Sequence, residues 1–408
     1  MAEPEESRPG TSPRTRRTRF VFISDTHNCT PKLPKGDVLI HCGDLTNMGS
    51  FTELSKQVSW LEKADFECKL VVAGNHDLTL DTDFFEEYGR YFHNKTPQDP
   101  ARCQELLTGS ESLVYLQHAS RQVRLTSPTG PRTTFSVFGS PYTPSYGKWA
   151  FQYEGDDEAA ADAIWADIPL DTDVVVTHGP AHLHRDESQR GAQGCEGLRR
   201  ALWRVRPKIA ACGHIHDARG VERVRWDLRN KHVRYKELGV QPWEDPGIGN
   251  EKNSLVDLTA KGGNPLDHSN TDTDIDTASS LGASAVPAGQ AGQVTSSRPS
   301  SSSSPSWLPP HQSASSSGEA SASASAGAGA QPGIGTRGLS GDPRSARSDQ
   351  SALGAGRLGR RETCFVNCAI QTVSHAQHRG AGPRVLNKPI VVDVDLPVWD
   401  TDSAPATP

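Results

Sequence analysis

The chain contains short apolar runs, each followed closely by Gly, Asp or His. They span residues 20–23, 38–42, 69–73, 173–177 and 208–212. Runs of this length with apolar residues on both faces are typical of strands buried in the middle of a sheet. The sequence therefore predicts a sheet of buried strands whose polar residues gather just beyond the strand ends.

Helical patterns lie between these predicted strands. Ser50 and Glu53 have the spacing of a capping box, in which two side chains satisfy main-chain N–H groups where a helix begins. One apolar face of that helix would carry Phe51, Leu54, Val58 and Leu61. Residues 158–168 and 196–205 predict two further helices, and Pro207 ends the second.

After Gly220 the hydrophobic period changes to two. Residues 222–228 and 233–235 predict a β-hairpin, and residues 255–258 predict another strand. Alternating apolar residues return at 364–370 and 390–396. Because good strands follow a long stretch without them, we expect that stretch to be an insertion within one domain.

Composition supports an insertion. In residues 281–360, Ser, Ala, Gly and Pro make up 54 of 80 positions, with no Phe or Tyr. Such a segment cannot offset the entropy of ordering itself, so we expect it to be disordered. The predicted parts are a disordered N-terminal tail at 1–19, the main domain at 20–262, the disordered insertion at 263–360, C-terminal strands that complete the domain at 361–400 and a tail at 401–408.

Charge and cysteine usage exclude several classes of function. The chain has 43 basic and 49 acidic residues, a net charge of −6, which argues against binding to a nucleic-acid polymer. No run approaches the ~20 apolar residues of a spanning helix, so no membrane partner is expected. The 8 cysteines form no CxxC pair and favour a reducing compartment. We predict a cytoplasmic protein, with a nuclear location as the alternative. Arg14, Arg16, Arg17 and Arg19 are expected in a solvated tail, with a localisation patch as the alternative.

The polar residues that follow the predicted strands are typical of a metal site. They are Asp25, His27, Asp44, Asn75, His76, Asp77, His178, His214 and His216. Residues at the carboxyl ends of neighbouring strands converge on one crevice. Carboxylate, amide and imidazole donors without thiolate favour Mn²⁺, Fe or Zn²⁺. If one carboxylate bridges two such cations, the pair of cations would polarise a phosphoryl group and generate hydroxide near neutral pH. Two Asp, two divalent cations and one hydroxide would leave the cavity with a charge of about +1, which suits an anionic substrate.

These motifs resemble the calcineurin-like metallophosphoesterase superfamily. Residues 139–144, 149–151, 177–180 and 213–220 are similar to its metallophosphoesterase domain-containing branch, which includes nucleotide phosphodiesterases. The resemblance covers about 20–258 and the two C-terminal strands. It implies an α/β fold, a metallophosphatase-type β-sandwich flanked by helices, here with a long disordered insertion.

The resemblance also implies roles for individual residues. One metal would be held by Asp25, His27, Asp44 and His216, and the other by Asp44, Asn75, His178 and His214. His76 would contact the phosphate or protonate the leaving oxygen, and Asp77 would orient His76. The general physics agrees, because an imidazole near its ordinary pKa serves well as a general acid.

Two further groups of residues have more than one interpretation. Tyr146, Trp149, Phe151 and Tyr153 form an aromatic group in which Trp149 and Phe151 would bind a nucleobase, or the group is a hydrophobic plug. His182 and His184 are expected on a surface loop, with a role in substrate choice as the alternative.

The sequence thus predicts a phosphoric ester hydrolase with two divalent metal ions, Mn, Fe or Zn. Residues 43–49 lack the Arg that protein phosphatases of this superfamily carry, so a small phosphodiester, such as a nucleotide, is favoured as the substrate. The attacking group would be a metal-bridging hydroxide. The alternatives are a phosphomonoesterase and a non-catalytic metal-binding scaffold that presents the Ser-rich insertion to protein partners.

Overall fold

The computed structural model describes residues 14–155, 157–228, 235–268, 360–372 and 386–399. The strands within these ranges are β1 (Thr15–Ile23), β2 (Val38–Cys42), β3 (Cys68–Val72), β4 (Val114–Tyr115), β5 (Ala119–Arg124), β6 (Thr134–Ser140), β7 (Thr143–Pro144), β8 (Gln152–Tyr153), β9 (Val174–Thr177), β10 (Glu187–Ser188), β11 (Gly191–Ala192), β12 (Ile209–Cys212), β13 (Gly220–Trp226), β14 (Glu237–Pro242), β15 (Ser254–Leu258), β16 (Glu362–Asn367) and β17 (Ile390–Pro397). The α-helices are α1 (Phe51–Glu62), α2 (Thr82–Phe92), α3 (Pro100–Thr108), α4 (Glu158–Ala166) and α5 (Glu196–Val205). Short 3₁₀ turns occur at Leu78–Leu80 and His216–Ala218.

Two large sheets contain most of the strands. The first sheet has the order β15-β17-β1-β2-β3-β4, and the second has the order β14-β13-β16-β12-β9-β6-β5. In the first sheet β1, β2 and β3 run parallel, and in the second β6, β9, β12 and β16 run parallel. Each sheet therefore presents the carboxyl ends of several neighbouring strands at one edge.

The sheets pack face to face, and helices cover both outer faces. Along β1, Phe20 and Phe22 enter the core between the sheets, whereas Val21 and Ile23 pack with apolar side chains of α1 and α3. On the second sheet, Phe138 and Val175 pack outward against α4 and α5. Both faces of the central strands are buried, which explains their continuous apolar runs. The predicted β-sandwich flanked by helices is confirmed.

The helices follow their sequence signals closely. Ser50 and Glu53 form the predicted capping box of α1. The bounds predicted for α5 are confirmed, and α4 ends two residues before the predicted Ile168. A membrane-spanning helix is not found in the described ranges, whose helices are too short or too polar to cross a bilayer.

The two C-terminal strands lie inside the sheets and not at their edges. β16 lies between β12 and β13, and β17 lies between β1 and β15. The pairing of β1 with β17 runs from Thr15 opposite Pro397 to Phe22 opposite Ile390. Arg19 donates to both carboxylate oxygens of Asp393, each at 2.7 Å. The predicted tail boundary at residue 19 is therefore wrong, because the partner strand extends β1 back to Thr15.

The predicted start of the insertion at residue 263 is also too early. Leu266 is buried in the core between the sheets. The carbonyl oxygen of Asp267 accepts a hydrogen bond from the N–H of Arg361 at 3.2 Å. Residues 263–268 therefore pack on the domain, and residues 269–359 of the predicted insertion lie outside the described residues.

The second strand of the predicted hairpin begins at Glu237, four residues after the expected start at 233. β13 pairs with β14, where Trp226 lies opposite Glu237 and Glu222 lies opposite Pro242. Residues 229–234 lie outside the described residues. β14 is an edge strand whose apolar residues Leu238 and Val240 are exposed, so no buried face distinguishes it from a loop.

Candidate metal centre

The residues predicted to bind metal lie at the carboxyl ends of strands in both sheets. Those after β1, β2 and β3 come from the first sheet, and those after β9 and β12 come from the second. All of these strand ends meet at the same edge of the sandwich. The crevice therefore lies between two sheets, whereas a single open sheet was the basis of the sequence argument.

The side chains form two compact groups. The first cluster is Asp25, His27 and His216, and the second is Asp44, His178 and His214; within each cluster one potential ligand atom per residue lies within 4.8 Å of the others. In the first cluster, Nε2 of His216 lies 3.3 Å from Oδ1 of Asp25. In the second, Oδ1 of Asn75 lies 2.9 Å from Nε2 of His178, which adds the amide to that group.

Asp44 lies between the two clusters. Its Oδ2 is 3.6 Å from Nε2 of His27 and 3.4 Å from Nε2 of His178. Its Oδ1 accepts a hydrogen bond from the N–H of His76 at 2.8 Å. One carboxylate oxygen thus faces an imidazole of each cluster, which is the arrangement that a shared ligand requires.

Main-chain carbonyl groups orient two of the imidazoles. Nδ1 of His178 lies 2.9 Å from the carbonyl oxygen of Cys42, and Nδ1 of His27 lies 3.1 Å from that of Thr46. A carbonyl oxygen only accepts, so Nδ1 carries the hydrogen and Nε2 turns towards the carboxylates. Metal-binding histidines are typically held in this way, so the donor set fits divalent cations.

Several of these residues have a left-handed backbone conformation. The φ angles are 54° at Asp25, 42° at His27, 53° at Asp44 and 65° at His214. Such conformations are costly for residues with side chains and tend to occur at functional sites. Hydrogen bonds hold them here, since the N–H of His27 donates to the carbonyl of Asp44 at 3.1 Å and that of His214 donates to the Asp25 carboxylate.

Two glycines allow the loops to approach one another. A Cβ atom at Gly74 would collide with the backbone nitrogen and Oδ1 of Asp44, and one at Gly213 would collide with Ser24 and with Oδ2 of Asp25. In each case the neighbouring group is part of a fixed loop. The motifs therefore need glycine at these positions because the two loops are in direct contact.

The acidic groups at the site remain charged despite their burial. Burial acts to raise the pKa of Asp25, but the charge and hydrogen bond of His216 outweigh it and hold the pKa well below the ordinary value. Burial likewise acts to lower the pKa of His178, but the Asp44 carboxylate raises it to about 9. In the metal-free protein, protons on imidazoles balance the carboxylates, a role that cations would take over on binding.

Asp77 does not contact the side chain of His76, so the predicted orienting role is wrong. Its buried carboxylate accepts hydrogen bonds from the N–H groups of Leu45, Thr46 and Gly74. Burial and the nearby charge of Asp44 raise the pKa of Asp77 to about 6. Asp77 ties together the loops that follow β2 and β3.

His76 is oriented by a different residue. Its Nδ1 lies 2.8 Å from the carbonyl oxygen of Asn47. Its ring lies 4.2 Å from the Trp149 ring and 4.9 Å from the His27 ring, measured between centroids. Sequence reasoning missed Asn47 because a main-chain carbonyl carries no signal in the residue type.

The aromatic residues divide between the site and the core. Phe151 is 3% exposed and packs in the cluster beneath the helices of the first sheet, so its predicted role in substrate binding is wrong. Trp149 is partly buried and contacts His76 and Phe92. Only Trp149 of the two predicted binding residues lies beside the site.

His184 is not the surface residue that the sequence suggested. It is 1% exposed, and its ring nitrogens lie 2.8 Å from Glu222 and 3.2 Å from Glu237. Its ring stacks on that of Phe365 at 4.3 Å. The prediction failed because the two carboxylates come from β13 and β14, far along the chain. His182 remains partly exposed, with Nδ1 3.4 Å from Asp186.

A buried histidine that the sequence argument passed over connects two ligand loops. The N–H of Gly43 donates to Nδ1 of His41 at 3.2 Å, and Nε2 of His41 lies 2.9 Å from the hydroxyl of Thr26. Burial lowers the pKa of His41 to about 3, so the ring is neutral. Its position in the otherwise apolar run of β2 was the available signal.

Comparison with known proteins gives the family. The model of the Calcineurin-like phosphoesterase family matches residues 18–218. UPF0046 protein C25E10.12 of Caenorhabditis elegans is 31% identical over 215 residues, which are 50% of this chain and 71% of that protein. The chain belongs to the calcineurin-like phosphoesterase family. This confirms the resemblance drawn from the motifs, and metal-binding hydrolysis is the chemistry of that family.

Other relatives match over a smaller share of their length. Metallophosphoesterase domain-containing protein 1 of Homo sapiens is 36% identical over 216 residues, which are 50% of this chain and 62% of that protein. "Probable rhamnogalacturonate lyase C" of Emericella nidulans is 42% identical over 212 residues, which are 52% of this chain and 18% of that protein. The chain thus spans less than two thirds of these two relatives, and their names do not define its substrate.

Proposed function

We propose that this protein hydrolyses a small phosphodiester, with nucleotides as the first class to test, at a centre of two divalent cations. The observation that carries the proposal is the position of Asp44. Its Oδ2 lies between the Nε2 atoms of His27 and His178, which belong to separate ligand clusters. Two cations that share one carboxylate are typical of enzymes that act on phosphate esters.

The family pattern assigns the ligands in two sets. One cation would be held by Asp25, His27, Asp44 and His216, and the other by Asp44, Asn75, His178 and His214. Such cations, of Mn, Fe or Zn, neutralise phosphate charge and lower the pKa of water. The remaining steps depend on residues of the chain.

His76 is suited to deliver a proton to the leaving oxygen. The carbonyl of Asn47 accepts the Nδ1 hydrogen of His76, so a second proton would sit on Nε2. The family pattern assigns no metal to His76, although its ring lies 4.9 Å from that of His27. Protonation of the leaving group by such an acid typically raises the rate by about 10²–10⁴-fold.

Charge favours a diester over a monoester. A phosphodiester carries one negative charge, whereas a monoester carries nearly two near neutral pH, because its second pKa is about 6. Two arginines lie at the turn that carries His216, and the guanidinium group of each is engaged by other groups of the chain. Arg185 donates to the carbonyls of Ala218 and Arg219, and Arg219 pairs with Asp245 at 3.0 Å. Neither is positioned to neutralise a second phosphate charge.

Trp149 supports the nucleotide part of the proposal. Its ring lies 4.2 Å from the His76 ring, measured between centroids, and so lies next to the group that would protonate the leaving oxygen. Stacking of a base on an aromatic ring contributes about 1–3 kcal/mol. A planar leaving group would therefore gain affinity at this position.

The cysteines support the proposal of a reducing compartment such as the cytoplasm. None of the eight is joined to another by a disulfide in the part of the chain that the structure describes, and most are buried. Free thiols persist where glutathione keeps them reduced.

A substrate panel tests the proposed reaction. Purified protein loaded separately with Mn²⁺, Fe²⁺ or Zn²⁺ is assayed on nucleotide and simple diesters and on the matching monoesters. We expect higher kcat/KM for diesters. Monoesters turned over more efficiently than every diester would contradict the diester assignment, and no turnover with any metal would favour the scaffold alternative.

The same assay tests His76. We expect His76→Ala to lower kcat by about 10²–10⁴-fold with metal content unchanged. The deficit should shrink for nitrophenyl esters, whose leaving group needs little protonation. His93→Ala is the matched control, because His93 contacts the carbonyl of Met48, next to Asn47, and should keep kcat near the wild-type value. Loss of metal in His76→Ala would show that His76 is a ligand.

A further inference from the structure

A short segment that begins at the last residue of β16 passes between the loop of Asp25 and the loop of His214. It comprises Asn367–Gln371, and we call it the strut. Because β16 runs parallel to β12, Asn367 reaches the same edge of the sandwich as His214. The strut follows the long gap in the described residues, so it comes from the far end of the sequence.

On one side the strut holds the loop that carries His214 and His216. Nδ2 of Asn367 lies 2.9 Å from the carbonyl oxygen of Ile215, 3.4 Å from that of Gly213 and 3.0 Å from that of Arg185. Asn367 is fully buried. One amide thus binds the carbonyls on both sides of His214.

On the other side the strut holds the loop that carries Asp25 and His27. The N–H of Ile370 donates to the carbonyl of Ser24 at 2.9 Å, and the N–H of Ser24 donates to the carbonyl of Cys368 at 3.1 Å. Nε2 of Gln371 donates to the carbonyl of Thr26 at 3.2 Å. Thr26 lies between the two ligands of this loop.

We infer that Asn367 and Gln371 are positioning residues that fix the separation of these two loops, and with it the affinity of the first cluster for its cation. That cluster takes Asp25 and His27 from one loop and His216 from the other. Its three ligands can approach one another only while the loops keep their distance. The inference rests on the metal centre of the proposed function and is independent of which phosphate ester is the substrate.

The positioning role can be tested by substitutions that keep the shape of the side chain and remove its N–H donor. Asn367→Asp keeps the size of the side chain but sets carboxylate oxygens against carbonyl oxygens, which repel them. Gln371→Glu does the same opposite Thr26. The matched control is Asn250→Asp, because Asn250 donates to the carbonyls of Pro246 and Ile248 in the same manner and all its side-chain partners lie within residues 246–252.

The test measures Mn²⁺ binding to the metal-free full-length protein by calorimetric titration, together with the thermal midpoint of the metal-free form. We expect wild type to bind two Mn²⁺, and Asn367→Asp to bind at least one of them about 10–100-fold more weakly, as is usual when a group supporting a ligand is lost. Turnover of the variant should recover at saturating Mn²⁺. Gln371→Glu should act in the same direction, and Asn250→Asp should match wild type.

A purely structural role gives a different result. If both variants lowered the thermal midpoint but bound two Mn²⁺ with wild-type affinity, the inference would be overturned. If Asn367→Asp does not fold, Gln371→Glu alone decides. Wild type that binds fewer than two Mn²⁺ would overturn the proposed metal centre and this inference together, which distinguishes that failure from the first.

Discussion

The two ligand clusters differ in how they are enclosed. In the first, 28% of the His216 side chain and 11% of the His27 side chain are exposed. In the second, the side chain of His178 is fully buried and that of Asp44 is 3% exposed. Each cluster also has one half-buried histidine, His216 in the first and His214 in the second, so both reach the crevice. The first cluster is the more open of the two because His27 is partly exposed, whereas His178 is not.

The clusters also differ in what holds them together. His178 is fixed by the Cys42 carbonyl and by Asn75, which follow directly from β2 and β3. Both clusters join loops of the two sheets. Among the residues that the structure describes, the strut contacts both loops of the first cluster, whereas in the second cluster it contacts only the loop of His214. Solvent access and the groups behind the ligands control metal exchange. We therefore expect a tightly held cation in the second cluster and an exchangeable one in the first.

Removing the carboxylate between the clusters should have the largest effect, because it erases the difference between them. Asp44→Asn takes away a negative charge that both cations would share. The Nε2 atoms of His27 and His178 would then face a neutral amide in place of a carboxylate. We expect loss of at least one of two metal equivalents by elemental analysis and near-complete loss of turnover. Two tightly held metals in an active Asp44→Asn protein would contradict the assignment of Asp44 as a shared ligand.

Metal removal should then sharpen the comparison. When protein loaded with two Mn²⁺ is mixed with excess chelator, we expect metal release in two phases. Release from the first cluster should be at least about tenfold faster than release from the second, because solvent reaches the first cluster more easily. His216→Ala should abolish the fast phase, and His178→Ala should abolish the slow phase. Stopped-flow with a metal indicator measures both, and a single phase in wild type would contradict the proposed difference.

The sequence was sufficient to find the residues of the two clusters because each of them follows a strand that is buried on both faces. Such strands have apolar runs that stand out without any knowledge of their neighbours. Gly74 and Gly213 added a second signal, since each marks a point where two loops touch. The residues of the clusters could therefore be found one at a time, and only their division between two sheets required the structure. Their role as metal ligands stays a prediction.

The errors arose where a role depends on a partner distant in sequence or on the direction of a turn. Asp77 follows His76, but the N–H of Asp77 donates to the carbonyl of Gly74 in a tight turn, which sends the two side chains in different directions. His184 is buried because Glu222 and Glu237 face it. Local pattern holds no information on such contacts.

The smallest effect is expected from removing residues 269–359, which precede β16 and the strut. Asp267 and Arg361 are joined by a main-chain hydrogen bond of 3.2 Å, so the chain leaves and re-enters the domain at one place. Replacing residues 269–359 with a short Gly/Ser linker should therefore keep the fold, both Mn²⁺ equivalents and diester turnover. Closing a loop depends weakly on its length, about 0.6 kcal/mol per doubling, so the thermal midpoint should change little.

Ending the chain after residue 264 is the contrasting variant. It removes β16 and β17 from the interior of both sheets, and the strut with them. The sheets would expose unpaired apolar strands, so we expect a much lower thermal midpoint, aggregation and loss of metal from the first cluster. Thermal denaturation, metal content and turnover are compared with wild type for both variants. A truncated protein as stable and active as the full chain would show that residues 361–399 do not support the catalytic domain, and would remove the structural basis for the exchangeable first cluster.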